Sequence, residues 1–589
     1  MKTHASKTTN VINIYYITFV ASLIGFLLLL FDYGFNQEIK YQIYLNVYYF
    51  LVLILGIIAT GFRYFWQKNS KTVAIKLFDV LSTLIIIYIL IMHLIFLNNH
   101  QNYSIFYNNI WVKVAILLTF IREFSELRIV YKRTIINPAQ LFIISFLAMI
   151  LIGSLLLQLP NATNGGIGFV DALFTATSAI CVTGLAVVDT GTHFTQFGQI
   201  ILMLLIQIGG LGILTFASYF SYFFKGGSSY ENQLVLSDMT NTEKMSDVFS
   251  SFKRIIFITF SIELVGAFFI YASVSQKLFS STYSHAFFAI FHSISGFCNA
   301  GFSTLANGYF DDNFKFNYSL QIITFLLFAL GGLGFPIVIN LLKFLKHFIL
   351  SLIMSKNDRR TQHKPWLINI TSRITLITTI SLTVFGTLAL YFLEYNNTLA
   401  EHHGIGKLIA ALFEAATPRT AGFNNVDMAK LGLPAIMITV LLMWIGASPA
   451  STGGGIKTST FAIATLNFVS LAKGKTRIEV FRREIADLSV RRALGTISLS
   501  LIIIGLGIML ISLFDKDFNI LGIGFECFSA YSTVGLSLGL TTKFSVASKF
   551  VLIALMFIGR VSMLSILIAV FKKSKYTNYR YPTEEILIN

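Results

Sequence analysis

Apolar residues come in long runs along this chain, separated by short polar stretches, and the runs have the length of membrane spans. A helix of about 20 apolar residues crosses the roughly 30 Å of a bilayer's hydrocarbon. Before residue 135 the pattern predicts four such helices, at about 11–31, 43–62, 78–98 and 105–121. The first run is long for the apolar core of a signal peptide and is not followed by a small-residue cleavage site, so a retained helix is expected. From residue 139 the pattern becomes a triplet: a long apolar segment, a shorter half-apolar one that ends in glycine-rich polar residues, and a second long segment. The triplet occurs four times. The expected fold is an all-α integral membrane protein, with about four N-terminal transmembrane helices ahead of four parallel pseudo-repeats of helix, loop and helix. The segments are an N-terminal helical extension at 1–134, repeats at 135–230, 250–346, 366–472 and 488–573, and a tail at 574–589.

The four short segments end in "SAICVTGLAV" (178–187), "SGFCNAGFST" (295–304), "TPRTAGFNN" (417–425) and "SAYSTVGLSL" (529–538). They share a core of small residue, glycine and apolar residue: Thr183-Gly184-Leu185, Ala300-Gly301-Phe302, Ala421-Gly422-Phe423 and Val534-Gly535-Leu536. The glycines recur after 117, 121 and 113 residues, and a phenylalanine precedes each by nine or ten (Phe174, Phe291, Phe413, Phe525), as one face of a three-turn helix leading into a loop would require. Small-residue clusters follow 24 to 30 residues after each loop glycine, at Gly209–Gly212, Gly331–Gly334, Gly446–Gly455 and Gly559, where helices can approach closely. Non-helical backbone at membrane depth must face protein or a water-filled path. Four loops meeting on one axis would offer rings of carbonyl oxygens that replace the water shell of a cation. Glycine suits this, because it adopts positive φ and puts no side chain in the path. Each short helix would also aim its partly negative C-terminal end at the axis. Inverted pairs of broken helices would indicate a secondary transporter. Here the order of elements is the same each time, which favours a pore of pseudo-fourfold symmetry around one ion pathway.

Composition supports the bilayer: 55% of the 589 residues are hydrophobic, 12% are charged, and the mean hydropathy is +0.72. The net charge of +17 could suggest nucleic acid, but the basic residues gather in alternate loops, as the positive-inside rule requires. These groups are Arg63, Lys68, Lys71 and Lys76; Arg122, Arg128, Lys132 and Arg133; Lys356, Arg359, Arg360, Lys364 and Arg373; Arg477, Arg482, Arg483, Arg491 and Arg492; and Lys572, Lys573 and Lys575. All are expected in the cytoplasm, with both termini. Cys181, Cys298 and Cys527 are too few and too scattered for a disulfide framework or a zinc site. With no "HExxH", nucleophile elbow or phosphate-binding loop, an enzyme is not expected, and no cofactor is expected on this chain.

The stretches "ATSAICVTGL", "FHSISGFCNAGFSTLANG", "TPRTAGFNNVD" and "FECFSAYSTVGLSLGLT", followed in repeat three by "GASPASTGGGIKTSTFA" (446–462), resemble the Trk/Ktr/HKT superfamily, and more narrowly the membrane subunit of bacterial TrkH and KtrB systems. The resemblance covers 139 to about 573. It implies potassium uptake across the cell (inner) membrane through a selective, gated pore. The filter would be formed by Thr183, Gly184, Ala300, Gly301, Ala421, Gly422, Val534 and Gly535. K+ would be held by backbone carbonyls of Cys181, Val182, Thr183, Asn299, Ala300, Thr420, Ala421, Thr533 and Val534. It also implies a homodimer and a cytoplasmic nucleotide-binding regulatory subunit of the TrkA/KtrA type, so any nucleotide would act through that partner. In family terms a serine at the first filter position accompanies sodium, so Gly184 favours potassium. The alternative is a sodium-permeable or Na+- or H+-coupled cation symporter of the same fold.

Repeat three's second long segment breaks in "GASPASTGGGIKTST", where one proline and four glycines in ten residues cannot continue a helix. The expectation is an intramembrane loop beneath the filter that obstructs the pore, with Gly453, Gly454, Gly455, Lys457 and Arg560 as gate residues; the alternative is a shielded kink. Arg560 is costly inside a membrane helix and should either donate to carbonyls of that loop, set a barrier in the path, or snorkel to the interface. Lys457 is open between an electrostatic role and an interface. Arg419 should turn behind the third loop toward a carboxylate, with Glu526 and Glu414 as candidates. Pro418 and Ser562-Met563 depart from the family pattern, and the latter leaves the helix after Arg560 open. Cys181 and Cys298, three residues before their glycines, are expected as buried packing residues, the alternative being thiols that external reagents reach.

Overall fold

A computed structural model describes residues 2–66, 73–97, 110–126, 138–223, 246–353 and 368–571, with Pro582 and Glu584. The chain divides into two compact units, Met1–Arg133 with Leu159–Asn161, and Thr134–Gln158 with Ala162–Asn589. Helices dominate both. Among the described residues, five helices are long and apolar enough to cross a membrane, or six if a pair bent by 108° at Gly334 is one span.

The first unit holds α1 (Lys2–Gly34), α2 (Ile39–Trp66), α3 (Val73–Leu97) and α4 (Ile110–Glu126). Its apolar core includes Tyr49, Val52, Leu53, Ile86 and Ile116. The assignment of basic residues to loops is corrected here: Arg63, Lys76, Arg122, Arg373, Arg491 and Arg492 lie within helices, and two of them are also buried. Arg63 and Arg122 are buried in helices α2 and α4, at 2% and 0% exposure. Arg63 reaches Glu123 at 2.9 Å and Asp79 at 4.0 Å; Arg122 bonds Glu123 at 3.2 Å, the Thr83 hydroxyl at 3.2 Å and the Gly56 carbonyl at 2.7 Å. A charge inside such a unit is retained only with partners, and a count of lysines and arginines cannot see that Asp79 and Glu123 supply them. Lys68, Lys71, Arg128, Lys132, Arg133, Lys356, Arg359, Arg360, Lys364, Lys572, Lys573 and Lys575 lie outside the described residues, as do 224–245, 354–367 and most of the tail.

The second unit carries the triplets. They are α5 (Pro138–Leu157), α6 (Phe169–Ile180) and α7 (Gln196–Phe223); then α8 (Ser246–Ser273), α9 (Thr282–Phe297) and α10 (Tyr318–Leu333), continued by α11 (Phe335–Ile353); then α12 (Ile370–Leu393), α13 (Ile405–Ala416) and α14 (Leu433–Trp444), continued by α15 (Thr458–Ala472); and last α16 (Asp487–Phe514), α17 (Ile520–Ser532) and α18 (Val546–Val561), continued by α19 (Met563–Val570). The packing closes on itself. Each of α7, α10 and α18 packs on the short helix of its own triplet, and α7, α10, α14 and α18 pack on the short helix of the next, the last meeting α6 of the first. Between α15 and α16 lies a two-residue hairpin, Glu479–Val480 against Arg483–Glu484, with Arg477 paired to Glu484 at 3.5 Å.

Three of the four second segments are interrupted, not only the third. Gly334 (φ 81°, ψ 146°) separates α10 from α11, residues 445–457 separate α14 from α15, and Ser562 (φ 72°, ψ 126°) separates α18 from α19. A residue with positive φ cannot continue a right-handed helix. The first of these breaks is signalled by glycine before Phe335-Pro336; the last has no such signal, since serine rarely takes that conformation.

Candidate functional site

The four loops share one backbone course. Each leaves the C-terminus of its short helix; the residue two before the glycine is left-handed (Val182 57°, Asn299 60°, Thr420 73°, Thr533 50°), and the glycine is too (Gly184 92°, Gly301 68°, Gly422 77°, Gly535 94°). Left-handed backbone costs about 1–3 kcal/mol at a non-glycine residue and needs support from its surroundings. The support is a helix-end bond repeated in each loop: Thr183 N to Ser178 O at 2.8 Å, Ala300 N to Ser295 O at 2.8 Å, Ala421 N to Thr417 O at 2.9 Å and Val534 N to Ser529 O at 2.9 Å. The hydroxyls of those same residues hold the loops a second time. Ser178 and Ser529 accept from Gly184 N and Gly535 N, each at 3.1 Å, while Ser295 and Thr417 donate to Phe302 O and Phe423 O, each at 2.7 Å. These four residues are absent from the candidates above, yet each quoted loop stretch opens on one of them. Loop three is one residue shorter, which is why Phe413 precedes Gly422 by nine residues and not ten.

The glycines face one another in sequence. A Cβ at Gly184 would lie 2.5 Å from the Ala300 carbonyl oxygen, and one at Gly301 would lie 3.0 Å from that of Ala421. One at Gly422 would overlap the Val534 oxygen, and one at Gly535 the Thr183 oxygen, so the series returns to its start. The carbonyls of Thr183, Ala300, Ala421 and Val534 thus converge where no side chain fits. On one side of this ring is a cavity of about 450 Å³, lined by all four glycines and rimmed by Asp189 and Asp427. At the surface, Lys315 joins the second and third triplets by reaching Glu401 at 2.9 Å, and that bond holds the Glu401 carboxyl below its ordinary range.

On the other side lies 445–457. Its ends are joined by a parallel bridge between Ile445 and Ile456. Lys457 folds back on its own loop and donates to Gly453 O at 2.6 Å and Gly454 O at 3.3 Å. Arg560 is buried and donates to the Thr452 carbonyl and, at 2.6 Å, to the Gly209 carbonyl, tying α7 and α18 to the loop. Gly453 and Gly454 press on the Thr420 and Thr533 side chains, and Gly455 on Ser532.

Arg419 requires a correction. It turns behind loop three, but to α12, where it meets Thr379 O at 3.1 Å, Thr383 Oγ1 at 3.3 Å and Thr379 Oγ1 at 3.3 Å. Glu526 is otherwise engaged, accepting from Ser537 Oγ (2.6 Å), Leu538 N (3.0 Å) and Thr541 Oγ1 (2.6 Å), which pins the far end of loop four. Sequence gives the carboxylate but not its partners, and threonine hydroxyls in a helix next to the loop serve the guanidinium instead. Cys181, Cys298 and Cys527 are buried, and the Cys298 thiol meets Glu263 Oε1 at 3.7 Å.

Residues 104–579 match the TrkH family, described as cation transport protein, a match that begins before residue 139. The chain is 36% identical over 452 residues to the Ktr system potassium uptake protein B of Bacillus subtilis, covering 76% of this chain and 96% of that protein. It is 34% identical over 464 residues to the potassium/sodium uptake protein NtpJ of Enterococcus hirae, covering 77% and 97%. The crystal structure of the potassium transporter TrkH from Vibrio parahaemolyticus superposes with a TM-score of 0.58 at 18% identity, over 85% of this chain and 97% of that one. This chain is a member of the TrkH family of cation transport proteins, a bacterial KtrB/TrkH-type protein of the Trk/Ktr/HKT superfamily and a membrane transporter, not an enzyme.

Proposed function

We propose that the chain takes up potassium through a selective, gated pore whose filter is made by the four loops. The observation that carries this reading is the cyclic approach of Gly184, Gly301, Gly422 and Gly535 to the carbonyls of Ala300, Ala421, Val534 and Thr183. Such a ring offers an alkali cation oxygens in place of water without a side chain in the way. Carbonyls of Cys181, Val182, Asn299, Thr420 and Thr533 extend the path, and the two-carboxylate rim attracts cations to its mouth. The loop at 445–457, with Gly453–Gly455, Lys457 and Arg560, is the gate. The relatives' names support potassium, and the name Ktr system supports a membrane subunit that works with other components. In this reading the protein is a homodimer in the cell membrane, both termini are cytoplasmic, and a nucleotide-binding ring of the TrkA/KtrA type acts on the gate.

The test is rescue of growth at limiting potassium in a transport-deficient host, repeated with Gly184→Ser. A Cβ there meets a filter carbonyl and the backbone is left-handed, a strain of about 1–3 kcal/mol, so uptake should fall about tenfold or lose its preference for K+ over Na+. No rescue despite membrane expression, or rescue indifferent to the substitution, overturns the filter. A second reading, sodium permeation or coupling to Na+ or H+, is favoured by the potassium/sodium name of the Enterococcus relative. A reversal potential that follows the Na+ or H+ gradient would establish it.

A further inference from the structure

The residue two before each filter glycine has a second role that rests on the pore reading. Three of the four carry polar side chains, all fully buried, and these form a belt on the gate side of the glycine ring that the loop at 445–457 bridges. Asn299 Nδ2 reaches Thr420 Oγ1 at 3.4 Å. Asn299 Oδ1 accepts from the Thr452 hydroxyl at 3.1 Å, and Thr533 Oγ1 accepts from Gly454 N at 2.9 Å. A Cβ at Gly453 would overlap Thr420 Oγ1 and one at Gly454 would overlap Thr533 Oγ1, so the gate loop lies against the belt with no space between. The fourth position is Val182, which adds no polar atom.

We propose that Asn299 and Thr533 are a latch that holds the gate loop to the filter, and that their oxygens are shared in turn between the loop and the permeating cation with its water. The closed loop satisfies Asn299 Oδ1 and Thr533 Oγ1 with an O–H and an N–H. Buried oxygens left without a donor are unfavourable, so a retracted loop is stable only when water or a cation takes its place. Amide and hydroxyl oxygens are suitable ligands for a hard cation. Loop closure and ion occupancy of the inner filter are therefore mutually exclusive, and raising K+ on the gate side favours opening.

Single-channel recording of the reconstituted full chain tests the latch. Thr452→Val removes the hydroxyl at constant shape and raises open probability about two- to tenfold, the worth of one hydrogen bond; Thr452→Ser keeps the hydroxyl and reverses the gain. Asn299→Ala, which leaves the loop intact, carries the same prediction independently, and the Asn299→Ala/Thr452→Val pair opens no more than the larger single change. In the parent, open probability rises with K+ on the gate side. The latch is overturned if K+ currents remain sensitive to Gly184→Ser while Thr452→Val and Asn299→Ala leave open probability at the parent level, or act additively. An absence of any K+ current that Gly184→Ser alters overturns the pore reading itself.

Discussion

At the scale of single residues, the site depends on backbone conformations that most side chains avoid. The four loop glycines are legible from sequence because only glycine tolerates both their positive φ and the carbonyl opposite. Val182, Thr420 and Thr533 share the left-handed backbone with Asn299, but only the asparagine is a residue type that favours it; the others have no compositional mark, since their conformation is imposed by the helix-end bonds around them. Ser562 is the clearest strained position. It holds φ 72° and ψ 126° where the second triplet has Gly334 at 81° and 146°. Ser562→Gly should relieve about 1–3 kcal/mol of strain, offset by about 1 kcal/mol of unfolded-chain entropy. A higher melting temperature of the detergent-solubilised protein is expected; an unchanged or lower one would show that the surroundings favour the serine. Arg419 shows the opposite limit: its burial was foreseeable, but its choice of Thr379 and Thr383 over Glu414 or Glu526 depends on which helix lies behind the loop.

At the scale of elements, the small-residue clusters do more than permit close approach. A Cβ at Gly209, Gly331 or Gly559 would strike the carbonyl of Ile180, Phe297 or Tyr531, the residue four before each loop glycine. These three second segments are thus seated on the ends of their own short helices, and the helix breaks at Gly334 and Ser562 fall three residues beyond the seat. Gly559→Ala should push α18 off α17, an overpacking cost of about 1–3 kcal/mol, with loss of both thermal stability and cation transport. Gly505→Ala on α16 is the control, because nothing lies within 4 Å of its new methyl group; it should be neutral or slightly stabilising, as helical Gly to Ala changes are. Equal damage from the two would mean that helix propensity, and not the seat, sets the effect. The clusters were visible as a repeated spacing, whereas the carbonyl beneath each glycine was not, because contact between helices distant in sequence leaves no local periodicity.

At the scale of the whole molecule, two units follow different rules. The second unit is a closed cycle of triplets built around backbone atoms. The first unit holds a buried charge cluster beside its apolar core, and α1, α2 and α3 precede the family match that begins at residue 104. Arg63→Ala takes a shared cation from Glu123 and Asp79, so it should destabilise that unit by about 3–5 kcal/mol, while Arg63→Lys, which keeps the charge, should lose less. Thermal unfolding of the full chain compares them, and an equal loss would show that packing, not uncompensated charge, is responsible. The sequence by itself determined the membrane character, the helical class, the four triplets, their glycines and the family, because run length, periodicity and glycine spacing are local properties written in residue order. Only the tertiary structure decided that the glycines meet in cyclic order, that Arg560 holds the Thr452 carbonyl, that Arg63 and Arg122 are buried, and that Asn299 and Thr533 touch the loop at 445–457. Those facts depend on which distant segments share a neighbourhood, and a buried donor takes the nearest acceptor in space.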